Sequence, residues 1–143
     1  MRQFSRILVG LIIAVLIALT AQGWTGDFVN LFAVFPRGLV GHTLGGFTRA
    51  LINTGRMEVT HAILGSLIAA IAIAILFIAF RFNTNRGVRI CAVLGCLGVL
   101  SATYGGISFV LSGFQNNGSS AQMGGSFIGS YASYFLMLYF NRS

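Results

Sequence analysis

The sequence predicts an all-α integral membrane protein, a bundle of four transmembrane helices with both termini cytoplasmic. Three observations carry that expectation. Of 143 residues, 56% are hydrophobic and only 8% charged, against about 25% charged in an ordinary soluble domain. The chain therefore lacks the polar cover that a water-facing surface needs. Four apolar runs approach or reach the roughly 20 residues that cross a bilayer as helix. A single Pro beside 19 Gly fits long, closely packed helices, because proline breaks a helix and glycine lets two backbones approach. A soluble globular enzyme, a disordered chain and a collagen-like chain are excluded.

The predicted helices run from Ile7 to Trp24, Val59 to Phe80, Ile90 to Leu111 and Ala121 to Phe140, in one membrane domain spanning residues 1–143. The first has the basic start, apolar centre and small residues (Thr20, Ala21) of a secretory signal, and is read as a retained membrane helix. Trp24 and Tyr139 close their runs, where an amphipathic ring favours the membrane interface. The intervening stretch from Thr25 to Glu58 is apolar on both sides of Pro36. It is expected to fold as one or two short helices on the outer surface or over the bundle, since a structureless loop of that length is unusual.

The net charge of +7 comes from nine Arg against Asp27 and Glu58, with no Lys. Arg2, Arg6, Arg81, Arg86, Arg89 and Arg142 fall at one end of the predicted bundle, and Arg37, Arg49 and Arg56 at the other. That asymmetry places the termini and the Arg81–Arg89 turn in the cytoplasm and the protein in the plasma membrane. Arginines standing singly between apolar runs form no phosphate-binding stripe, so no nucleic-acid partner is expected. Cys91 and Cys96 lie within an apolar run and read as small buried hydrophobes.

Small residues recur four apart on three of the helices: Gly98, Ala102 and Gly106; Gly125, Gly129 and Ser133; Ala62, Ser66, Ala70 and Ala74. Each strip is flat enough to receive another helix, the commoner use, or a planar cofactor.

His61 is the first candidate for chemistry. An ionisable side chain at membrane depth is costly and marks a functional site by default, and a neutral imidazole is a suitable axial ligand for haem iron. Glu58, one turn earlier, is placed to orient that ring or to move a proton. Met123 opens the fourth helix at about the depth of His61 and is a candidate second ligand through its thioether, as is His42 from the outer stretch. Arg37, Arg49 and Arg56 lie on the same side, where a guanidinium can clamp a haem propionate or sit among lipid phosphates. Each of these residues has a plainer use as well: helix-start carboxylate, interfacial histidine or core-filling methionine. Chlorophyll ligation by His61 or His42 is a third reading of the same residues. No nucleotide loop or Ser/His/Asp arrangement is present, and two acids in the chain nearly exclude paired-carboxylate chemistry.

The Glu-x-x-His that opens the second helix, formed by Glu58 and His61, resembles one half of the haem A synthases, membrane enzymes that oxidise a methyl group of haem O. The outer stretch has similar length, and Tyr104-Gly105-Gly106-Ile107-Ser108 is similar to a glycine-containing stretch of the third helix there. The resemblance implies a haem-binding bundle completed by a second copy or another membrane subunit, with Met123 near the position of the family's second histidine. The expected function is thus a b-type haem-binding subunit in respiratory electron transfer or haem handling, with Glu58 as catalytic residue if oxidation chemistry is retained. The alternative is a cofactor-free accessory or structural subunit of a larger respiratory or photosynthetic membrane complex.

Overall fold

The computed structural model describes residues 2–34, 43–83 and 85–141, with side chains from Arg6 onward. Five helices follow one another: α1 (Arg2–Phe32), α2 (Leu44–Thr54), α3 (Arg56–Phe82), α4 (Arg86–Leu111) and α5 (Asn117–Phe140). Among the described residues there is no strand. Three helices, α1, α3 and α4, are long and apolar enough to cross a membrane. α5 matches them in length but is diluted by Asn117, Ser119, Ser120, Gln122, Ser126, Ser130 and four glycines.

The helices begin and end where backbone hydrogen bonding dictates rather than where the apolar runs do. α1 continues past Trp24 to Phe32, so the first two turns of the expected outer loop are helical. No proline interrupts that stretch, and the chain keeps its ladder of N–H and carbonyl pairs beyond the apolar window. α4 starts at Arg86 because Asn85 caps it, its Oδ1 accepting from the Gly87 N–H at 2.8 Å. Asn116 does the same for α5 through Ser119 N–H at 3.2 Å. The outer stretch holds one described short helix, α2, capped by Thr43 accepting from Gly46 N–H at 3.1 Å. α2 turns directly into α3 at Gly55, whose φ of 122° is closed to residues with a side chain.

α1 and α3 pack antiparallel along a heptad-like seam. On α1 the inner residues Leu8, Ile12, Val15, Leu19, Gln22, Gly26 and Val29 alternate steps of four and three. On α3, Glu58, His61, Gly65, Ile68, Ala72, Ile75 and Ala79 do the same. Such spacing keeps one face of each helix on its partner. The seam is apolar and fully buried over Ile12, Val15, Ala72, Ile75 and Ala79, and polar at its other end.

α4 and α5 form the second seam, also antiparallel. Gly87 faces Phe140, Gly95 faces Tyr134, Gly98 faces Ser126 and Ser130, and Gly105 faces Ser119 and Met123. A Cβ on Gly95 would lie 2.7 Å from Cζ of Tyr134, so that ring rests on bare backbone. The turn between them is a Schellman motif: Phe114 N–H reaches Phe109 O at 2.9 Å and Gly113 N–H reaches Val110 O at 3.0 Å. Gly113 takes the left-handed φ of 69° that the motif demands. Phe109 and Phe114 complete it edge-to-face at 5.7 Å. α2 closes over this end, burying Ala50 with Val110 and Phe114.

At the opposite end, Asn83 donates to Asn141 Oδ1 at 3.0 Å and Asn85 to Phe140 O at 2.9 Å. Arg89 reaches back to Asn83 O at 2.8 Å, tying the α3–α4 turn to its own helix.

Candidate functional site

The polar end of the α1–α3 seam holds a closed ring of hydrogen bonds around His61. Thr25 donates its hydroxyl to the backbone carbonyl of Gln22 at 3.1 Å. Its Oγ1 is therefore the acceptor in the 3.0 Å contact with His61 Nδ1, which carries the ring proton. The lone pair of Nε2 then accepts from the Gln22 amide at 3.0 Å. The ring reaches so close because α1 is bare at Gly26, where a Cβ would lie 3.0 Å from His61 Cε1. Gly65, one turn along α3, leaves room in the same way for the Gln22 amide. Gln22 Oε1 is buried and takes no hydrogen bond among the described residues.

Glu58 is buried at 8% exposure in the first turn of α3, on the inner stripe one step before His61. It does not orient the imidazole as the motif suggested: both ring nitrogens belong to α1. Met123 lies in the other seam, its side chain against Gly105 and Gly106 of α4. The structure thus places His61 and Met123 between different helix pairs. Arg49, on α2, and Arg56, at the start of α3, are exposed. Arg37 and His42 lie outside the described residues. Among the described residues, no three His, Cys, Asp or Glu side chains gather as a metal site.

Three small-residue strips were expected, and only one lies in a helix seam. Gly98 and Gly106 on α4 meet α5. On α5 the partner surface is Ser119, Met123, Ser126, Ser130 and Tyr134, with Ser119 donating to Ser108 at 3.0 Å and Ser126 to Ser101 at 2.9 Å. Gln122 adds a contact to Ser101 Oγ at 3.1 Å. The strip of Gly125 and Gly129 is on the far side, exposed, with nothing within 4 Å of where either Cβ would stand. Exposed Ala121 and Ala132 extend it in both directions. Ser66 and Ala70 of α3 are likewise exposed.

The residues that sequence reasoning missed are Gln22 and Thr25. The signal for Gln22 was the alternation of four and three along α1, which puts it in line with Leu8, Ile12, Val15 and Leu19; Thr25 lies off that stripe and carried no such signal.

No family model, curated protein or solved structure matches this chain. Fold and site together define its class, a helical membrane protein whose one histidine among the described residues is half-buried and held inside a helix–helix seam.

Proposed function

We propose that the protein is a four-span subunit of the plasma membrane, both termini cytoplasmic, whose role is to assemble with other membrane helices. One observation carries this reading: the exposed strip Ala121, Gly125, Gly129 and Ala132 on α5. In hydrocarbon, helices associate through close backbone packing, and two glycines four apart are a recurring device for it. Within this chain α4 uses glycines in that way, and the outward strip on α5 has the same spacing of small residues. The Arg81–Arg89 turn supports the orientation through the excess of arginine at that end. The test is the size of the particle extracted in native lipid. The wild type is expected to emerge with partner subunits or as a dimer, and Gly125→Leu with Gly129→Leu to release the single chain. A wild type that emerges as a single chain would sink the proposal.

A second reading, a b-type haem subunit, draws on the geometry of His61. Nδ1–H on Thr25 is the arrangement that commonly orients a metal-binding imidazole and leaves Nε2 for the iron. Gln22, with its Oε1 unsatisfied, is the group that would have to leave. His61 would hold the haem on one side, and a second ligand would come from a residue such as His42 or from a partner; the haem would supply one-electron chemistry. Glu58, buried on the same stripe, is the residue available to hold or pass a proton. A reduced-minus-oxidised spectrum of the purified protein decides this reading. A b-type α-band lost in His61→Ala supports it, and a flat spectrum at full recovery removes it.

A further inference from the structure

An open groove of about 310 Å³ runs between α1 and α5, lined by Thr20, Gly23, Trp24, Asp27, Phe127 and Tyr131. It lies on a different side of α5 from the glycine strip, with Phe127 and Tyr131 turned toward α1. Its composition is graded along the helix axis. Thr20 spends its hydroxyl on Leu16 O at 2.9 Å, leaving a methyl group at the deep end. Gly23 opens the middle, where the tip of the Phe127 ring stands 3.2 Å from the Cβ position. Trp24, 78% exposed, and the Asp27 carboxylate form the outer end. Thr20 and Asp27 are separated by seven residues, about 10 Å of helix. Phe127 and Tyr131 form the opposite wall, their centroids 6.2 Å apart.

Asp27 is one of two acids in a chain of net charge +7, and no described cation pairs with it. A carboxylate one turn from an exposed indole attracts a cation twice, by charge and by the negative face of the ring. The floor beneath is apolar, so the cation that fits carries a hydrocarbon tail. An anionic headgroup is repelled at the same point. We propose that this groove is a binding site for a lipid with an ammonium headgroup, the ammonium on Asp27 and Trp24 and one acyl chain along Phe127 and Thr20. The site is independent of the outward strip on α5 and of any cofactor at His61.

The chain supplies its own reporter, since Trp24 is its one tryptophan. The full protein is reconstituted in phosphatidylglycerol bilayers, and brominated phosphatidylethanolamine is added in steps while Trp24 fluorescence is followed. Preferential quenching over brominated phosphatidylglycerol is expected, about threefold, the size of one exposed cation–π contact. Asp27→Asn is expected to abolish the preference while circular dichroism stays unchanged. Brominated phosphatidylcholine tells charge alone from N–H donation: equal preference means charge suffices, a weaker one means the ammonium hydrogens bond Asp27, and either upholds the site. Equal quenching by the anionic lipid, or a preference that survives Asp27→Asn, overturns it. So does displacement of the lipid signal by soluble tetramethylammonium at a lower concentration than the lipid itself requires. Loss of a protein partner in Asp27→Asn, with lipid preference intact, would assign the groove to a protein cation instead.

Discussion

The two seams of the bundle are held by different means. Between α1 and α3, branched aliphatic side chains interlock over four turns and give way to a polar ring at His61, Gln22 and Thr25. Between α4 and α5, the surfaces are glycine and serine, and ring, hydroxyl and backbone meet directly. In water the first would be the stronger, because burying aliphatic surface is the dominant favourable term. In a bilayer that term vanishes between helices, leaving dispersion and hydrogen bonds. Both seams then depend on closeness of fit. The α4–α5 seam has more of it, while the α1–α3 seam has a polar pair that fixes which residues face each other.

The largest effect is expected where the fit is tightest. Gly95→Leu drives a side chain into the buried Tyr134 ring, costing about 3 kcal/mol in a reversible unfolding assay in bicelles, whereas Gly10→Leu, with open space around it, leaves stability unchanged. Equal melting of the two variants would mean that the α4–α5 seam is loose. Next comes the polar ring. A double-mutant cycle of Gln22→Leu and His61→Leu is expected to give a coupling of about 1 kcal/mol, within the range for hydrogen bonds between membrane helices. Zero coupling would reduce the ring to a bystander. Thr25→Val removes one acceptor from His61 and is expected to cost about 0.6 kcal/mol on the same assay. A cost above that of the whole Gln22–His61 coupling would make Thr25 the principal anchor. The smallest effect belongs to Tyr134→Phe. Its hydroxyl is buried with no partner among the described residues, so the change is expected to be neutral or stabilising by about 0.5 kcal/mol. A marked loss would reveal a bond that the hydroxyl makes.

Much of this architecture was legible in the residues, and the remainder fails for identifiable reasons. Hydropathy locates α1, α3 and α4 because a bilayer of fixed thickness selects length and apolarity together. It misplaces their ends, since asparagine caps and backbone pairing set them, and α1 simply continues beyond its most apolar run. His61 stands out because an imidazole in an apolar helix has few uses, yet its partners were sought on its own helix, at Glu58, when they lie across the seam. The strip on α5 shows a sharper limit. That helix has small residues on both faces, serines on one and glycines on the other. A period of four finds each equally well, and only the packing shows that the serines face α4.

The serine face has a consequence for how the chain reaches its place. Asn117, Ser119, Gln122, Ser126 and Ser130 make α5 a poor candidate to leave the insertion machinery alone, because every bare hydroxyl and amide carries its hydration with it. Ser101 and Ser108 of α4 supply the replacements for Ser119, Gln122 and Ser126, and Ser130 turns its hydroxyl to its own helix at Ser126 O. On a four-span reading α5 is thus a passenger during biogenesis: it crosses as the trailing arm of a hairpin, already zipped to α4 through the Gly113 turn. Lengthening that turn would then stall the last helix at the surface while the first three insert normally.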